Sequence, residues 1–374
     1  MTSADARLAR LRTACEQRGL DGLYVRDLSN LRWLTAFDGV FDDEPAHALF
    51  VDARRAVLHT DSRYVSACER HAQGISLAVS AERVSHSAFA ANLWYEDAPA
   101  ADAKLGIESS ITLAEYRALQ KAFEEHGQYA DSLPFVETDG VVGSLRTVKD
   151  ADEIARMKEA QAITDAAYTH IIGFMKPGMT EREVQIELED FMRRHGAEGL
   201  AFPSIVATGP HGASPHAIPG ETLLEAGQCV VLDFGARACG YCSDMTRTVF
   251  LGEPDARLRS AYEAIRAANE QVEDAIKPGV LGKDMHDLAE QVLADAGFEG
   301  TMGHSLGHGV GIDIHEEPNL SPRNDAPLVA GNVVTVEPGI YLPGEFGMRL
   351  EDFGVVTEEG FAVFTQSTHD MVIL

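Results

Sequence analysis

Positive charge is what this sequence most lacks: 31 lysines and arginines stand against 59 aspartates and glutamates, a formal net charge of −28. A surface this acidic repels phosphate backbones and anionic bilayers, which argues against nucleic-acid and membrane partners. Cysteine is scarce as well, with five residues in a chain of 374, far from a disulfide framework. Cys239-Gly240-Tyr241-Cys242 has redox-motif spacing but falls at the bend between two strand-like runs, and no second Cys or His pair lies at zinc-finger spacing. It reads as a pair of turn cysteines. Long apolar runs are missing, since the stretch around Val230–Leu232 is far too short to span a bilayer. There is no Gly-rich phosphate loop, and Gly307-His308-Gly309-Val310-Gly311 brings its third glycine too early for a dinucleotide fingerprint. The start of the chain shows no basic segment followed by an apolar one and soon enters helical periodicity at Leu8, Leu11 and Cys15, so a cytoplasmic location is expected.

What remains is an ordinary globular composition, 45% hydrophobic and 24% charged, in a chain long enough for two domains. Up to about residue 140, helical and strand-like patterns alternate. Gly22–Val25, Leu31–Phe37, Ala48–Val51 and Arg55–His59 read as strands, and Asp61–Ala72 and Thr112–Glu125 as helices. That is an α/β domain with a mixed sheet and no catalytic cluster. Gly140, Gly143 and Ser144 interrupt the pattern, and a linker is expected across 140–149, before a long helix from about Ala151.

The second half repeats itself. Lys176-Pro177-Gly178 and Gly196-Ala197-Glu198-Gly199 recur 101 residues later as Lys277-Pro278-Gly279 and Gly297-Phe298-Glu299-Gly300. Each pair brackets a helix-like segment. The first opens on a capping box, Thr180 and Glu183, ahead of Val184, Leu188 and Phe191; the second carries Met285, Leu288 and Val292. Ala226-Gly227 then leads into Val230–Gly235, as Ala330-Gly331 leads into Val333–Gly339. Asp233 and Glu337 therefore hold equivalent places in two copies of one unit.

Each copy folds back as a hairpin. A turn centred between Ala238 and Cys239 places Asp233 opposite Asp244, and a turn centred on Gly344 places Glu337 opposite Glu351. Opposed carboxylates destabilise a sheet unless something cationic lies between them, and divalent metals are the natural compensation. The imidazoles for such a site lie between the hairpins, at His304 and His308. Their spacing is that of a zincin helix, but no Glu follows His304 and the glycines oppose a helix, so one of the two is the expected ligand.

These motifs, namely Asp233-Phe234-Gly235, Ser243–Thr248, Gly307–Gly311 with His315-Glu316, Glu337–Tyr341 and Arg349–Asp352, resemble the signatures of the pita-bread metallopeptidases, in particular the Xaa-Pro dipeptidase and aminopeptidase P branch. Asn30–Phe37 and Thr60–Tyr64 resemble that branch's creatinase-type N-terminal domain. The resemblance implies an α/β creatinase-like domain over residues 1–145 and a catalytic pita-bread α+β domain, built from the internal duplication, over residues 146–374. It further implies two divalent cations per chain, Mn2+ first and Co2+ or Zn2+ as alternatives. Asp233 would hold one, Asp244 and Glu351 would bridge, and His308 with Glu337 would hold the second. His216 and His315 match histidines placed over the substrate, and Glu337 would also carry a proton from water to the leaving nitrogen. Arg349 would orient a ligand, His304 stands between a supporting and a structural role, and Arg323 is a candidate for gripping a dipeptide's carboxylate. The expected substrate is a small proline-containing peptide, and the expected assembly a homodimer. Alternatives are an aminopeptidase P acting on longer peptides, a non-peptidase hydrolase or lyase on the same fold, and a binding module without turnover.

Overall fold

The structure is a computed structural model that describes residues 3–96, 100–126 and 133–374. Met1 and Thr2, part of the stretch read above for a leader, lie outside it. The chain divides into two compact units, Met1–Arg146 and Thr147–Leu374.

In the first unit six strands, β1 (Gly22–Val25), β2 (Ala48–Asp52), β3 (Ala56–His59), β4 (Ala78–Ser80), β5 (Leu105–Glu108) and β6 (Phe135–Thr138), form one sheet in the order β4-β3-β2-β1-β5-β6. β1–β2 and β2–β3 are antiparallel and the other pairs parallel, so the sheet is mixed, as the pattern predicts. Helices α1 (Ser3–Gln17), α2 (Leu28–Thr35), α3 (Val65–His71), α4 (His86–Glu96), α5 (Leu113–Glu125) and α6 (Val141–Arg146) accompany it. Two expectations are corrected. Leu31–Phe37 is not a strand: Asp27 caps α2 by accepting from Asn30 N, and Leu31, Leu34 and Thr35 are buried at helical spacing, with Ala36 closing the helix in the left-handed region. The stretch expected as a linker contains α6, with Val141 and Val142 buried.

The second unit shows the duplication in three dimensions. Its helices are α7 (Ala151–Phe174), α8 (Glu181–Arg194), α9 (Ala256–Ala275) and α10 (Gly282–Asp295). Its strands are β7 (Gly199–Leu200), β8 (Ile205–Thr208), β9 (Cys229–Phe234), β10 (Ala236–Ala238), β11 (Tyr241–Cys242), β12 (Met245–Phe250), β13 (Gly307–Gly309), β14 (Glu316–Leu320), β15 (Val333–Val336), β16 (Gly339–Leu342), β17 (Phe346–Arg349), β18 (Asp352–Val356) and β19 (Phe361–Val363). The β12-β9-β8 sheet of the first copy answers to β18-β15-β13 in the second. α8 and α10 begin and end 101 residues apart, and the Thr180↔Leu223 bridge reappears as Leu281↔Pro327. Each copy packs two helices on its sheet: Ala167, Ile171, Val184 and Leu188 against Val206, Val230 and Leu232 in one, and Ala261, Ile265, Met285 and Leu293 against Leu306, Val334 and Val336 in the other. The capping box at α8 forms, with Glu183 N donating to Thr180 Oγ1 at 3.1 Å and Thr180 N donating to Glu183 Oε2 at 2.8 Å.

A candidate metal centre at the seam of the two copies

The second hairpin keeps the register read from sequence: Gly339 pairs with Arg349 and Val336 with Asp352, which sets Glu337 against Glu351. The first does not. Cys239 and Gly240, at φ 51° and 76°, form a two-residue turn, so the partner of Asp233 is Thr246 and not Asp244. The slip is two residues, an even number, so Asp244 still points to the face that carries Asp233. Asp244 lies just before β12, where its strand crosses Gly235; a Cβ on that glycine would overlap the Ser243 carbonyl.

Asp233, Asp244, Glu337, Glu351 and His308 all line one cleft of about 730 Å³. His308 Nε2 is 3.5 Å from Asp244 Oδ2 and 3.6 Å from Glu337 Oε1, and Asp244, His308 and Glu351 each offer an atom within 4.8 Å of the others. Burial raises all four carboxyls, and their neighbours' charges add to it at Asp244 and Glu351, which stand well above the usual range; Glu337 is raised to about 8. Burial also lowers His308 to about 4, which leaves the imidazole neutral and able to ligate. Asp233 Oδ1 is buried without a hydrogen-bond partner. Four converging carboxylates, three buried and Glu337 half-buried, with an orphaned oxygen and a neutral imidazole are a donor set suited to divalent cations.

The surrounding shell is anchored tightly. The buried Arg349 pairs with Asp233 through Nη2, donates from Nε to Thr246 Oγ1 at 2.9 Å and from Nη1 to the Tyr341 hydroxyl at 2.6 Å, and stands 3.9 Å from Glu337. Thr246 Oγ1 in turn donates to Glu351 Oε2 at 2.6 Å. His304 lines the cleft with its Nε2 3.1 Å from the Tyr341 hydroxyl. Thr246 and Tyr341 escaped the sequence reading, although both stand inside the quoted motifs, because their value lies in contacts made across the chain. Below the site Arg247 donates to the Glu351 carbonyl at 2.6 Å and pairs with Asp352 at 2.6 Å. Glu273, Asp352 and His369 form a second group of metal-capable type, but Asp352 is already bonded to both Arg247 and His369.

His216 and His315 are exposed at the cleft, and the His315 ring lies edge-on to His308 with centroids 4.5 Å apart. Pro203, Ile205, Pro215 and Ile314 contribute an apolar wall. Arg323 is not brought to the cleft. It sits exposed on the loop after β14, so the candidate carboxylate-gripping role finds no support in its position; among the described residues the guanidinium that lines the cleft is that of Arg349. His211, read as ordinary surface, is half-buried and bonded to Glu181. All five cysteines are free. No helix among the described residues is long and apolar enough to cross a membrane.

Fold and site together define a metallopeptidase: residues 155–358 match metallopeptidase family M24 and residues 7–148 the creatinase/prolidase N-terminal domain, and the chain belongs to this family, whose members imply divalent metal. Its relatives locate it further, in the Xaa-Pro dipeptidase and aminopeptidase branch. A Bacillus subtilis protein described as an uncharacterized peptidase, YqhT, is 36% identical over 98% of this chain and all of its own length. The solved Xaa-Pro dipeptidase from Bacillus anthracis superposes with a TM-score of 0.91 at 37% identity, over 99% of this chain and 100% of its own. The X-Pro aminopeptidase from Thermotoga maritima does so with a TM-score of 0.85 at 31% identity, over 97% and 100%.

Proposed function

We propose that this metallopeptidase hydrolyses the peptide bond preceding proline, foremost in Xaa-Pro dipeptides, using two divalent cations. The observation that carries the reading is the four-carboxylate, one-histidine cluster at a cleft sized for a small peptide, in a chain whose full-length structural relatives are named for Xaa-Pro cleavage. Asp233, Asp244, His308, Glu337 and Glu351 would hold the cations, Mn2+ first among the candidates with Co2+ or Zn2+ behind it. When bound, these ions supply an activated water and polarise the scissile carbonyl. Glu337 would accept a proton from the attacking water and pass it to the leaving nitrogen, which for proline is an imino nitrogen that departs only once protonated. His216 and His315 donate hydrogen bonds to the oxyanion as it develops. Arg349, already bonded to Asp233 and Thr246, holds the carboxylates in orientation.

Aminopeptidase P activity on longer peptides is the second reading, favoured by the Thermotoga relative's name. The deciding experiment gives metal-stripped enzyme, with and without added Mn2+, an Xaa-Pro dipeptide and an Xaa-Pro-Yaa tripeptide. Metal-restored cleavage of the dipeptide alone is the expected result. Cleavage of the tripeptide would move the assignment to aminopeptidase P, and no cleavage of either, with metal bound, would sink the proline reading. A homodimer belongs to the same proposal, and sedimentation velocity tests it.

A further inference from the structure

After β8 the chain leaves the sheet at Thr208, makes a 3-10 turn over Gly209–Ala213, passes His216 at the cleft and rejoins the body at Gly220. One carboxylate holds this excursion at three places. Glu181, the first residue of α8 and fully buried, accepts from Thr208 N at 3.0 Å, from Gly220 N at 3.2 Å and from His211 Nδ1 at 2.8 and 2.9 Å. Those donors sit at the departure, the middle and the return of the loop. Glu181 itself does not line the cleft.

The duplication provides an internal control. The residue 101 positions on is Gly282, which opens α10 beside the equivalent backbone bridge, Leu281↔Pro327, with no carboxylate at all. There the neighbouring loop is closed by Asn324, whose Nδ2 donates to the Asn319 carbonyl and whose own carbonyl accepts from Lys283 N. The other cleft histidine, His315, rides a shorter connection between β13 and β14, fastened by Glu316, which accepts from Asp313 N at 3.1 Å and pairs with the buried Lys149 at 3.0 Å. The repeated unit therefore forms its helix start without a buried acid, and Glu181 answers to something particular to the first copy: the long loop that carries His216.

We propose that Glu181 is a positioning residue for the reaction, fixing the loop backbone so that His216 meets the substrate's carbonyl, and that its effect on turnover passes through His216. This rests on the peptidase reading of the cleft. Three donors converge on the carboxylate, and Glu181→Gln keeps the shape while turning one acceptor into a donor aimed at them, so the loop must shift. Displacements of about 1 Å in a group that contacts substrate cost up to roughly 100-fold in rate.

The test compares the full-length, metal-loaded wild type with Glu181→Gln, His216→Ala and the double variant. Glu181→Gln is expected to keep its bound metal, lose about 10- to 100-fold in kcat on an Xaa-Pro dipeptide with a smaller change in KM, and show faster hydrogen exchange across residues 208–220. In the His216→Ala background the same substitution is expected to cost less than about 2-fold, because the two act as one unit. Unchanged exchange in the loop, or a full additional loss on top of His216→Ala, overturns the proposal. Should the wild type cleave no proline peptide, the peptidase reading fails while the exchange data still judge the clamp. Should Glu181→Gln not fold, His211→Ala removes only the side-chain donor, and the same pattern is expected at roughly 3-fold.

Discussion

At the scale of single residues, Thr246 shows how the cluster is kept from drifting. One hydroxyl donates to Glu351 and accepts from Arg349, and Arg349 in turn grips Asp233, so carboxylates from the two copies are tied through two side chains that bind no metal themselves. Groups in this position set ligand orientation, and Thr246→Val is expected to weaken divalent-metal affinity by about 10- to 100-fold. Titration calorimetry with Mn2+ checks this, and an unchanged affinity would assign the hydroxyl a packing role only. Arg349→Lys should behave alike, because an ammonium cannot serve Asp233, Thr246 and Tyr341 at once. The acids of this region are legible in the sequence because duplicated hairpins carry them, and His304 and His308 because they stand among glycines between those hairpins, whereas His216 and His315 are marked only by the family resemblance. Thr246, Tyr341 and Glu181 are not legible, since a threonine, a tyrosine or a helix-opening glutamate is unremarkable until the fold brings its partners close.

Among the elements, the two hairpins differ in what sequence reveals about them. The three-residue turn Pro343-Gly344-Glu345 has an unambiguous centre, and its register follows at once. In the other hairpin the left-handed residues are Cys239 and Gly240, and a cysteine at φ 51° carries no sequence warning, so the sequence pattern centres the turn too early. The alternation survived because the error was even. Helix α2 is hidden for a different reason: Leu31–Phe37 is too short for its periodicity to separate helix from strand, and only the Asp27 cap decides it. The crossing at Gly235 yields a prediction of its own. Gly235→Ala would drive a Cβ into the Ser243 carbonyl next to Asp244, and is expected to cost about 1–3 kcal/mol of stability, with loss of bound metal, read by thermal unfolding and metal analysis. A variant as stable and as metal-rich as the wild type would show that the crossing relaxes freely.

For the molecule as a whole, the acidic cluster ties stability to pH. Burial raises Glu337 from 4.5 to about 8, and Asp244 and Glu351 move the same way. These carboxyls bind more protons in the folded metal-free chain than in the unfolded one between those values, while His304 and His308, lowered by burial from 6.5 to about 4, bind fewer and offset them at the acid end. Above the ordinary histidine value the carboxyls prevail and stability falls as pH rises. Cation binding displaces the protons and reverses the trend. Melting curves of chelator-treated protein from about pH 6.5 to about pH 8 are expected to show a falling Tm, and Mn2+ to restore it most at the alkaline end. A flat metal-free profile would mean that the carboxylates are better solvated than their burial in the structure implies.

The seam between the two copies has one more consequence. Two separate molecules of a single unit, meeting about a twofold axis, would be bound to place the same side chain on both sides of the junction. A tandem on one polypeptide is released from that symmetry. Here one side presents the short acids Asp233 and Asp244, the other the longer Glu337 and Glu351 together with the imidazole of His308, and so the two halves of the cleft are free to treat the two sides of a scissile bond differently.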